Sequence, residues 1–476
     1  MEDDRRGKLN FLREQGIDPF PHSYPGVQPT ASIQSAHAGL EAGDETDSAH
    51  RVAGRLTGRR EFGKAAFLDV TDRSGKIQIQ ARKDDLGDES FTQITSLDLG
   101  DIVGVDGVAF KSRRGELTLR ATAWQVLSKS LRPPPDKFHG LEDIETRYRR
   151  RDLDLIANEE SRDLFILRSR VVSAIRRWLD GRGFLEVETP VLQPLYGGAL
   201  ARPFTTHHNA LDRDLYLRIA TELYLKRLIV GGLERVYELG KDFRNEGLSQ
   251  KHNPEFTMLE WYEAYADYND IAAELEELVS FVASEIEYDG EIDFTAPWRR
   301  VTFRDAIHER TGLDVLALRD RDALVAGAKD KGIDLDPTET WGQLADELLS
   351  KHVEPELANP TFITDYPVEL SPFAKDHRAE PGLVERFECF AGGMEFANAF
   401  SELNDPDEQR ARFEQQARVG AEGDDEAQPY DEDFIRALEQ GMPPTGGIGV
   451  GIDRLVMLLS GRSSIREVVL FPAMRM

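Results

Sequence analysis

The sequence predicts an α+β fold in which a small β-barrel precedes a larger antiparallel sheet that is flanked by helices. Two observations lead to this prediction. Residues 51–131 contain about five short segments with the alternating pattern of strands, separated by turn signals. Later strand-like segments follow one another with few helices between them, which is typical of an antiparallel sheet.

The barrel is predicted from short segments that alternate apolar and polar residues. Turn signals at Thr71–Gly75 and Lys111–Gly115 separate some of them. About five strands in about eighty residues are typical of a five-stranded oligonucleotide-binding (OB) barrel. The segments are Val52–Leu56, Ala65–Val70, Lys76–Gln80, Ile102–Val108 and Glu116–Arg120.

Changes in composition divide the chain into successive domains. Residues 1–48 are predicted to be an N-terminal extension with a short helix at Arg5–Gln15. Residues 49–135 hold the barrel and end at Pro133–Pro135, a stiff linker. Residues 136–476 hold the larger sheet, with a helical insertion at about 300–357.

The bulk composition narrows the class of protein. The 476-residue chain has a net charge of −28, which argues against a surface that attracts nucleic acid throughout. Its cations are 14 lysines and 45 arginines, and arginine suits bidentate phosphate contacts. A salt-rich cell or simple base composition would each explain this balance. The single cysteine, Cys389, excludes an internal disulfide. Without a secretory signal or long apolar stretch, a cytoplasmic protein with no membrane contact is expected.

A charged hairpin is the most informative feature of the larger domain. Leu233–Phe243 and Glu255–Tyr262 alternate as strands, and a loop rich in Gly, Ser, Asn and Pro joins them. The alternation places a ring, a carboxylate and a phenol on one face of the second strand. This mixture predicts a binding surface for a nucleotide and an ammonium-bearing substrate, and a hairpin with a solvated face is the alternative. The shared-face residues are Phe256, Met258, Glu260 and Tyr262.

A glycine-rich strand near the C-terminus leads into an apolar helix. Residues 446–452 lack the glycine spacing of a dinucleotide fingerprint, and Arg454 lies where the helix begins. Glycines that let a ligand approach a helix N-terminus, together with a guanidinium, suit a triphosphate tail. Close packing of the helix on the sheet would explain the glycines equally well.

Paired acidic residues suggest a magnesium site. Glu388 and Glu395 lie on adjacent predicted strands, and Gly392 and Gly393 between them favour a tight turn. Mg²⁺ uses one or two carboxylates with phosphate oxygens, so this pair would hold it beside a bound triphosphate. Two exposed glutamates on an ordinary hairpin are the alternative.

An anionic pocket is also predicted. Asn398, Phe400 and Glu402 alternate onto one face of the second of these strands. Glu402 with Glu260 and Tyr262 would form a cage for an alkylammonium group.

Several longer motifs carry a resemblance to class II aminoacyl-tRNA synthetases. Gly183–Pro190 is similar to motif 1 of that class, Phe243–Gly247 with Lys251–Thr257 to motif 2, and Gly449–Arg454 to motif 3. Within the class, the chain most resembles the bacterial lysyl-tRNA synthetases. That likeness rests on Gly197–Asn209, Ala220–Arg227, Asn253–Tyr268 and Phe400–Asp405. It departs from the family at Lys251, where arginine is usual, and at Ala397 and Ala399, which are often glycine.

The resemblance implies a fold, an activity and a role for each site residue. It implies an OB anticodon-binding domain, a class II catalytic sheet, and a homodimer formed through motif 1. It also implies activation of L-lysine by ATP with Mg²⁺, followed by transfer to tRNA(Lys). ATP would be bound by Arg244, Glu246, His252, Asn253, Phe256 and Arg454, of which Arg244 and Arg454 act in catalysis. Lysine would be bound by Gly198, Glu222, Glu260, Tyr262, Asn398 and Glu402, and Mg²⁺ by Glu388 and Glu395. Anticodon bases would be bound by Phe67, Gln78 and Glu116.

Three alternatives remain at this stage. An aspartyl or asparaginyl synthetase would need a cation for the substrate side chain, whereas Glu260 and Glu402 supply anions. A ligase that attaches lysine to a protein such as elongation factor P would lack the barrel. A nucleic-acid-binding module with an inactive synthetase-like regulator would not need Arg244 and Arg454.

One apolar helix face has two possible partners. Val171, Ile175, Trp178 and Leu179 would either line a dimer interface beside motif 1 or pack on the chain's own sheet.

Overall fold

The protein is described here by a computed structural model that covers residues 2–135, 141–199, 201–371, 373–421 and 429–475. The chain divides into two compact units. One contains residues up to 143 together with 152–158, and the other contains 144–151 and the chain from 159 onward. None of the described helices is long and apolar enough to cross a membrane.

The first unit is built on a closed five-stranded barrel with strand order β1-β2-β3-β5-β4. Alternate residues such as Leu68, Ile79 and Leu119 fill its interior and have no solvent exposure. This inward alternation is the physical reason that the sequence predicted a barrel correctly. The strands are β1 Glu45–Phe62, β2 Ala65–Thr71, β3 Lys76–Arg82, β4 Ile102–Lys111 and β5 Leu117–Ser128. The helices are α1 Glu2–Glu14, α2 Thr30–Ala36, α3 Lys83–Leu86 and α4 Asp88–Ser96. The first strand begins before residue 49, where the sequence places the start of the barrel domain.

Two short helices, α5 Ile144–Arg149 and α6 Arg151–Ala157, follow in the sequence. The second unit then contains an eight-stranded sheet with order β12-β13-β14-β15-β16-β11-β10-β6 and a three-stranded sheet with order β7-β9-β8. The strands are β6 Leu185–Glu186, β7 Leu192–Gln193, β8 Thr205–His208, β9 Arg213–Leu217, β10 Arg235–Phe243, β11 Glu255–Ala264, β12 Arg299–Thr302, β13 Thr361–Pro367, β14 Leu383–Ala391, β15 Met394–Ser401 and β16 Thr445–Gly451. The helices are α7 Glu159–Gly181, α8 Glu222–Val230, α9 Tyr268–Glu285, α10 Phe303–Thr311, α11 Arg321–Asp330, α12 Trp341–His352, α13 Pro406–Ala421, α14 Glu432–Leu438, α15 Ile452–Ser460 and α16 Ile465–Val468.

The α+β class is confirmed, but the large sheet is mixed and not wholly antiparallel. Its central strands pair antiparallel, whereas β6 pairs parallel with β10 and β12 pairs parallel with β13. A parallel pair needs a long crossover. Helices α10, α11 and α12 lie within the β12–β13 crossover, and this is the region predicted as a helical insertion.

Helices α7 and α9 contribute to the main hydrophobic core of the second unit, which also contains Trp261 and Val450 of the sheet. Val171, Ile175 and Leu179 of α7 are fully buried there, and Trp178 is 8% exposed. The open question about this helix face is therefore answered, because it packs within its own chain.

Candidate active site

A cleft of about 350 Å³ is lined by residues of β11, β15, β16 and the loop at 244–254. It brings together most of the residues that the sequence singled out for ATP and lysine. Those that line it are Gly198, Glu222, Arg244, Glu246, His252, Asn253, Phe256, Glu260, Tyr262, Glu395, Asn398 and Arg454. Glu388 and Glu402 do not line it.

Glycines of β16 allow the cleft to exist. Gly449 lies opposite Glu260 on β11, and Gly447 lies opposite Tyr262. A Cβ added to Gly447 would come within 2.2 Å of Glu402 Oε1 and 2.3 Å of Tyr262 Cε1. Gly447 is therefore needed for the packing of Glu402 and Tyr262, whereas Gly449 and Gly451 line the cleft, where an added Cβ would meet nothing closer than 3.6 Å.

At one end of the cleft a guanidinium lies beside an aromatic ring. The Arg244 guanidinium carbon is 5.1 Å from the centroid of the Phe256 ring. The backbone N–H of Arg244 donates to the carbonyl of Pro254 over 2.9 Å, which closes the base of the charged loop. A ring and a planar cation in this arrangement suit a nucleotide base and its α-phosphate.

Arg454 and His252 form a linked pair at the same end. Arg454 donates from Nη1 to the Glu395 carbonyl over 2.8 Å, and its Nη2 lies 3.1 Å from His252 Nε2. Because a guanidinium can only donate, His252 Nε2 is the acceptor and the ring proton is on Nδ1, 2.8 Å from the Ser249 hydroxyl. Burial and the nearby Arg454 charge lower the pKa of His252, which keeps the ring neutral.

Glu395 reaches the cleft because of a β-bulge. Strict alternation would place Glu395 and Asn398 on opposite faces of β15. The register with β14 shifts between Cys389 and Phe390, which pair with Ala397 and Glu395 respectively. The extra residue on β15 brings the glutamate and the asparagine onto the same face.

The turn before this bulge has the conformation that its two glycines predict. Gly392 and Gly393 have φ values of 57° and 68°, as a two-residue hairpin turn of the primed type requires. The turn brings Glu388 and Glu395 onto neighbouring strands.

Glu388 does not line the cleft, and its side chain is 13% exposed. Tyr366 donates to its Oε2 over 2.8 Å, and Arg386 pairs with its Oε1. Burial raises the pKa of Glu388 to about 7, with Glu395 and Asp346 adding to the effect and Arg386 opposing it. Among the described residues, no group of three or more His, Cys, Asp or Glu side chains could hold a metal ion. Two carboxylates nonetheless suit Mg²⁺ when ATP supplies further oxygens.

The opposite end of the cleft is lined by the carboxyl groups of Glu222 and Glu260. Glu260 accepts the Thr221 backbone N–H over 3.0 Å and the Tyr262 hydroxyl over 3.1 Å. Burial raises the pKa of Glu260 to about 8, and Asp242 and Glu222 raise it further while the Thr221 bonds lower it. Burial and Glu260 also raise the pKa of Tyr262, so its hydroxyl stays protonated.

In the barrel unit, Phe67 of β2 and Gln78 of β3 alternate with the interior residues Leu68 and Ile79, Gln78 is only 5% exposed, and Glu116 directly precedes β5. Gln78 donates from its amide to Glu116 over 2.8 Å and accepts from the Thr118 hydroxyl over 3.0 Å. Phe67 is half-buried, and its ring meets that of Phe62 edge-on at 6.1 Å. Phe62 is 65% exposed. An aromatic surface beside an amide and a carboxylate suits single-stranded bases.

Comparison with known proteins agrees with both units. The profile of class II tRNA synthetases (D, K and N) matches residues 143–475, and that of an OB-fold nucleic acid binding domain matches residues 50–127. The chain belongs to the class II tRNA synthetases. Relatives named Lysine--tRNA ligase include that of Synechococcus sp. (strain CC9311), 53% identical over 100% of this chain and 99% of its own. The one from Carboxydothermus hydrogenoformans is 51% identical over 99% of this chain and 97% of its own. The one from Halalkalibacterium halodurans is 51% identical over 99% of this chain and 96% of its own. The resemblance stated from the sequence motifs is thereby confirmed.

Two residues at the site of this class II synthetase were missed from the sequence. Arg386 of β14 lines the cleft and donates to Asn398 Oδ1 over 3.1 Å. Lys226 of α8 is fully buried, with its Nζ 2.5 Å from Glu222 Oε1 and paired with Glu402. The only signal for Lys226 was its position four residues after Glu222, on a helix whose one further charged residue is Arg227.

Proposed function

We infer that this chain has lysine--tRNA ligase activity: it activates L-lysine with ATP to lysyl-adenylate and transfers lysine to the 3′ end of tRNA(Lys), releasing AMP and pyrophosphate. One observation carries the inference: a single cleft holds a cation-and-ring site at one end and buried carboxylates at the other. The relatives named Lysine--tRNA ligase match over almost their whole length.

ATP occupies the end of the cleft that contains the motif 2 loop. Phe256 stacks on adenine, with Glu246 and Asn253 beside the base. Arg244 contacts the α-phosphate, while His252 and Arg454 contact the triphosphate tail. The cation–ring distance of 5.1 Å between Arg244 and Phe256 supports this placement.

Lysine occupies the anionic end. Gly198 and Glu222 take its α-ammonium, and Asn398 with Arg244 takes its carboxylate. Its ε-ammonium is bound by carboxylates and a phenol, the groups that a cation requires. These are Glu260, Tyr262 and Glu402. The aspartate side chain would be repelled by these carboxylates, and the asparagine side chain has no positive charge for them to bind. This argues against the aspartate and asparagine members of the class.

Catalysis is by positioning and electrostatics. The lysine carboxylate attacks the α-phosphorus in line and pyrophosphate leaves, so no protein nucleophile is needed. Arg244 and Arg454 stabilise the charge that develops on the phosphate oxygens. Glu388 and Glu395 would hold Mg²⁺, which supplies further neutralisation of phosphate charge when it is bound. A ribose hydroxyl of the terminal tRNA adenosine, the 3′ one by analogy with the class, then attacks the lysyl-adenylate.

The barrel reads the anticodon of tRNA(Lys). Phe67 supplies a stacking surface, and Gln78 and Glu116 supply hydrogen-bonding groups beside it. Their 2.8 Å contact pre-orients both side chains. Because charging of tRNA serves protein synthesis, the activity is placed in the cytoplasm.

The active form is a homodimer built on the motif 1 region. Large apolar side chains near this motif are exposed in the single chain, and an obligate dimer interface is apolar and commonly buries over about 2,000 Å². Thr189 at the end of the motif donates to Glu238 from its N–H and its hydroxyl, at 3.1 and 2.7 Å. Glu238 lies opposite Glu260, so the interface would support the lysine pocket. The exposed side chains are Leu185, Val191, Leu192 and Leu195, which are 50%, 40%, 46% and 41% exposed.

Sedimentation tests the dimer. The protein is expected at about twice the chain mass of 53.7 kDa, and Leu192→Arg is expected to lower both the mass and the activity. Leu99→Arg, at another exposed leucine, is the control. A fully active monomer would contradict the proposal.

ATP–pyrophosphate exchange tests the activity. The purified chain is assayed with each of the twenty standard amino acids in turn. Exchange that depends on L-lysine is expected, whereas exchange driven by aspartate or asparagine, or none at all, would overturn the assignment.

A further inference from the structure

Lys226 lies between two carboxylates that the proposed function assigns to different ends of the substrate. Its Nζ is 2.5 Å from Oε1 of Glu222 and pairs with Oε2 of Glu402. The side chains of Lys226 and Glu402 have no solvent exposure, and that of Glu222 has 5%. The Phe373 ring, with its centroid 5.5 Å from Nζ, covers the ammonium from another side. The three groups therefore form one packed unit.

The second oxygens of the two carboxylates lie at different places, because Glu222 lines the cleft itself whereas Glu402 lies beside the Tyr262 ring, which lines it. Glu222 Oε2 lies 3.7 Å from the position that a Cβ on Gly198 would occupy, on the side assigned to the α-ammonium. Glu402 Oε1 lies beside Gly447 and the Tyr262 ring, on the side assigned to the ε-ammonium. This Glu402 oxygen is buried and has no hydrogen-bond partner among the described residues. A buried, unpartnered acceptor beside a cleft is a position for a ligand donor.

We propose that Lys226 is a positioning residue that fixes the separation between Glu222 and Glu402 and thereby sets the length of the diamino acid that the cleft accepts. The proposal rests on the proposed function and adds a specificity determinant to it. One ammonium bonded to one oxygen of each glutamate holds the other two oxygens at a set spacing. A diamino acid with a shorter chain cannot reach both.

Charge supports the same role. Glu222, Glu260 and Glu402 place three carboxylates around the pocket, while the substrate brings two ammonium groups. Lys226 supplies the third cation, and Arg244 pairs with the substrate's own carboxylate, so these charges balance in the occupied pocket. Without it, two buried carboxylates would face each other unpaired, and one would take up a proton and lose its attraction for the substrate.

The test compares L-lysine with L-ornithine, which is one methylene shorter, in ATP–pyrophosphate exchange. Lys226→Met keeps most of the side-chain volume but removes the ammonium. We expect kcat/KM for lysine to fall by about 10-fold or more, mainly through KM, because a methylene-scale misfit in a pocket is worth about 10–200-fold. The preference for lysine over ornithine should shrink by a similar factor, with KM for ATP little changed. Lys226→Arg keeps the charge, so it should recover more of the lysine KM than Lys226→Met does.

Lys129→Met is the matched control. Lys129 is also buried between two carboxylates, 2.7 Å from Asp98 and 2.9 Å from Asp101, but it lies in the barrel unit. Its loss should leave the preference for lysine over ornithine unchanged. A general effect of removing a buried lysine would alter both variants alike and overturn the proposal.

The outcomes separate this inference from the proposed function. An unmodified protein that does not activate lysine overturns the function itself. An active protein whose folded Lys226→Met variant keeps the unmodified selectivity overturns only the inference. If Lys226→Met does not fold, Lys226→Gln, which also removes the ammonium, takes its place, and unchanged selectivity and lysine KM in that variant would likewise overturn the inference alone. A crystal structure of the unmodified protein with lysine is a third test, since a Lys226 turned away from either glutamate would refute the role.

Discussion

Arg454 Nη1 lies 2.8 Å from the backbone oxygen and 3.1 Å from the side-chain Oε2 of Glu395. The guanidinium assigned to the triphosphate is thus held by a carboxylate assigned to magnesium. The guanidinium and the carboxylate neutralise each other before ATP binds. When Mg²⁺ and ATP bind, Mg²⁺ would take the place of Arg454 beside Glu395, and a phosphate would take the place of Glu395 beside Arg454. The site is therefore organised in the ligand-free chain at little cost in unpaired charge.

Glu395→Gln should raise the Mg²⁺ concentration needed for half-maximal exchange by at least about 10-fold, since even loss of an outer-shell partner costs about 10–100-fold in metal affinity. A magnesium titration of ATP–pyrophosphate exchange measures this. Glu356→Gln, whose side chain is 60% exposed, is the control. An unshifted magnesium titration would remove Glu395 from the metal site.

Arg244→Ala should lower the rate of adenylate formation by about 10²–10³-fold, because it removes a donor aimed at charge that develops on the α-phosphate. A single-turnover assay of adenylate formation measures the rate, and circular dichroism checks that the variant is folded. Arg436→Ala, at a side chain that is 67% exposed, should have no effect. A folded Arg244→Ala protein with near-normal exchange would show that the α-phosphate site is wrongly assigned.

Lysine binding should release protons near neutral pH. Burial raises the pKa of Glu260 to about 8, so its carboxyl group is largely protonated at pH 7 in the free chain. An ammonium favours the ionised form and lowers this pKa, so a proton leaves when lysine binds. KM for lysine should therefore fall as the pH rises from about 6 toward 8, the window set by the raised pKa of Glu260. Calorimetry at pH 7 in buffers with different ionisation enthalpies counts the protons, and equal heats in all buffers would contradict this prediction.

Phe67→Ala should weaken charging of tRNA(Lys) by about 5- to 150-fold in kcat/KM, since stacking of one base is worth about 1–3 kcal/mol. Pyrophosphate exchange does not require tRNA and should be unaffected. Phe11→Ala in α1, where the side chain is 49% exposed, serves as the control. Equal losses in charging and exchange would mean that Phe67 supports the fold and not anticodon binding.

The sequence predicted best where a local pattern determines the structure. The alternation of β11 places Phe256, Glu260 and Tyr262 along one cleft, because successive strand residues face opposite sides. The paired glycines before β15 predicted the tight turn for a similar reason, since a primed turn needs positive φ at both positions.

Features that depend on distant partners could not be predicted in this way. The phase of Glu395 depends on a bulge against β14, and strict alternation would have placed it away from Asn398. Whether an edge strand pairs in parallel depends on where the long connection that follows it returns to the sheet, which local alternation does not show. Lys226 was overlooked because its partner Glu402 is remote in sequence, and a helical lysine is ordinarily a surface residue.

Charging of tRNA with a labelled amino acid tests the central claim most directly. Transcripts of tRNA(Lys), tRNA(Asp) and tRNA(Asn) are each incubated with the purified chain, ATP, Mg²⁺ and lysine, aspartate or asparagine. We predict that only lysine with tRNA(Lys) gives acid-precipitable label. Attachment of aspartate or asparagine to any transcript, or no attachment of lysine to tRNA(Lys) by the folded dimer, would contradict the assignment of the cleft.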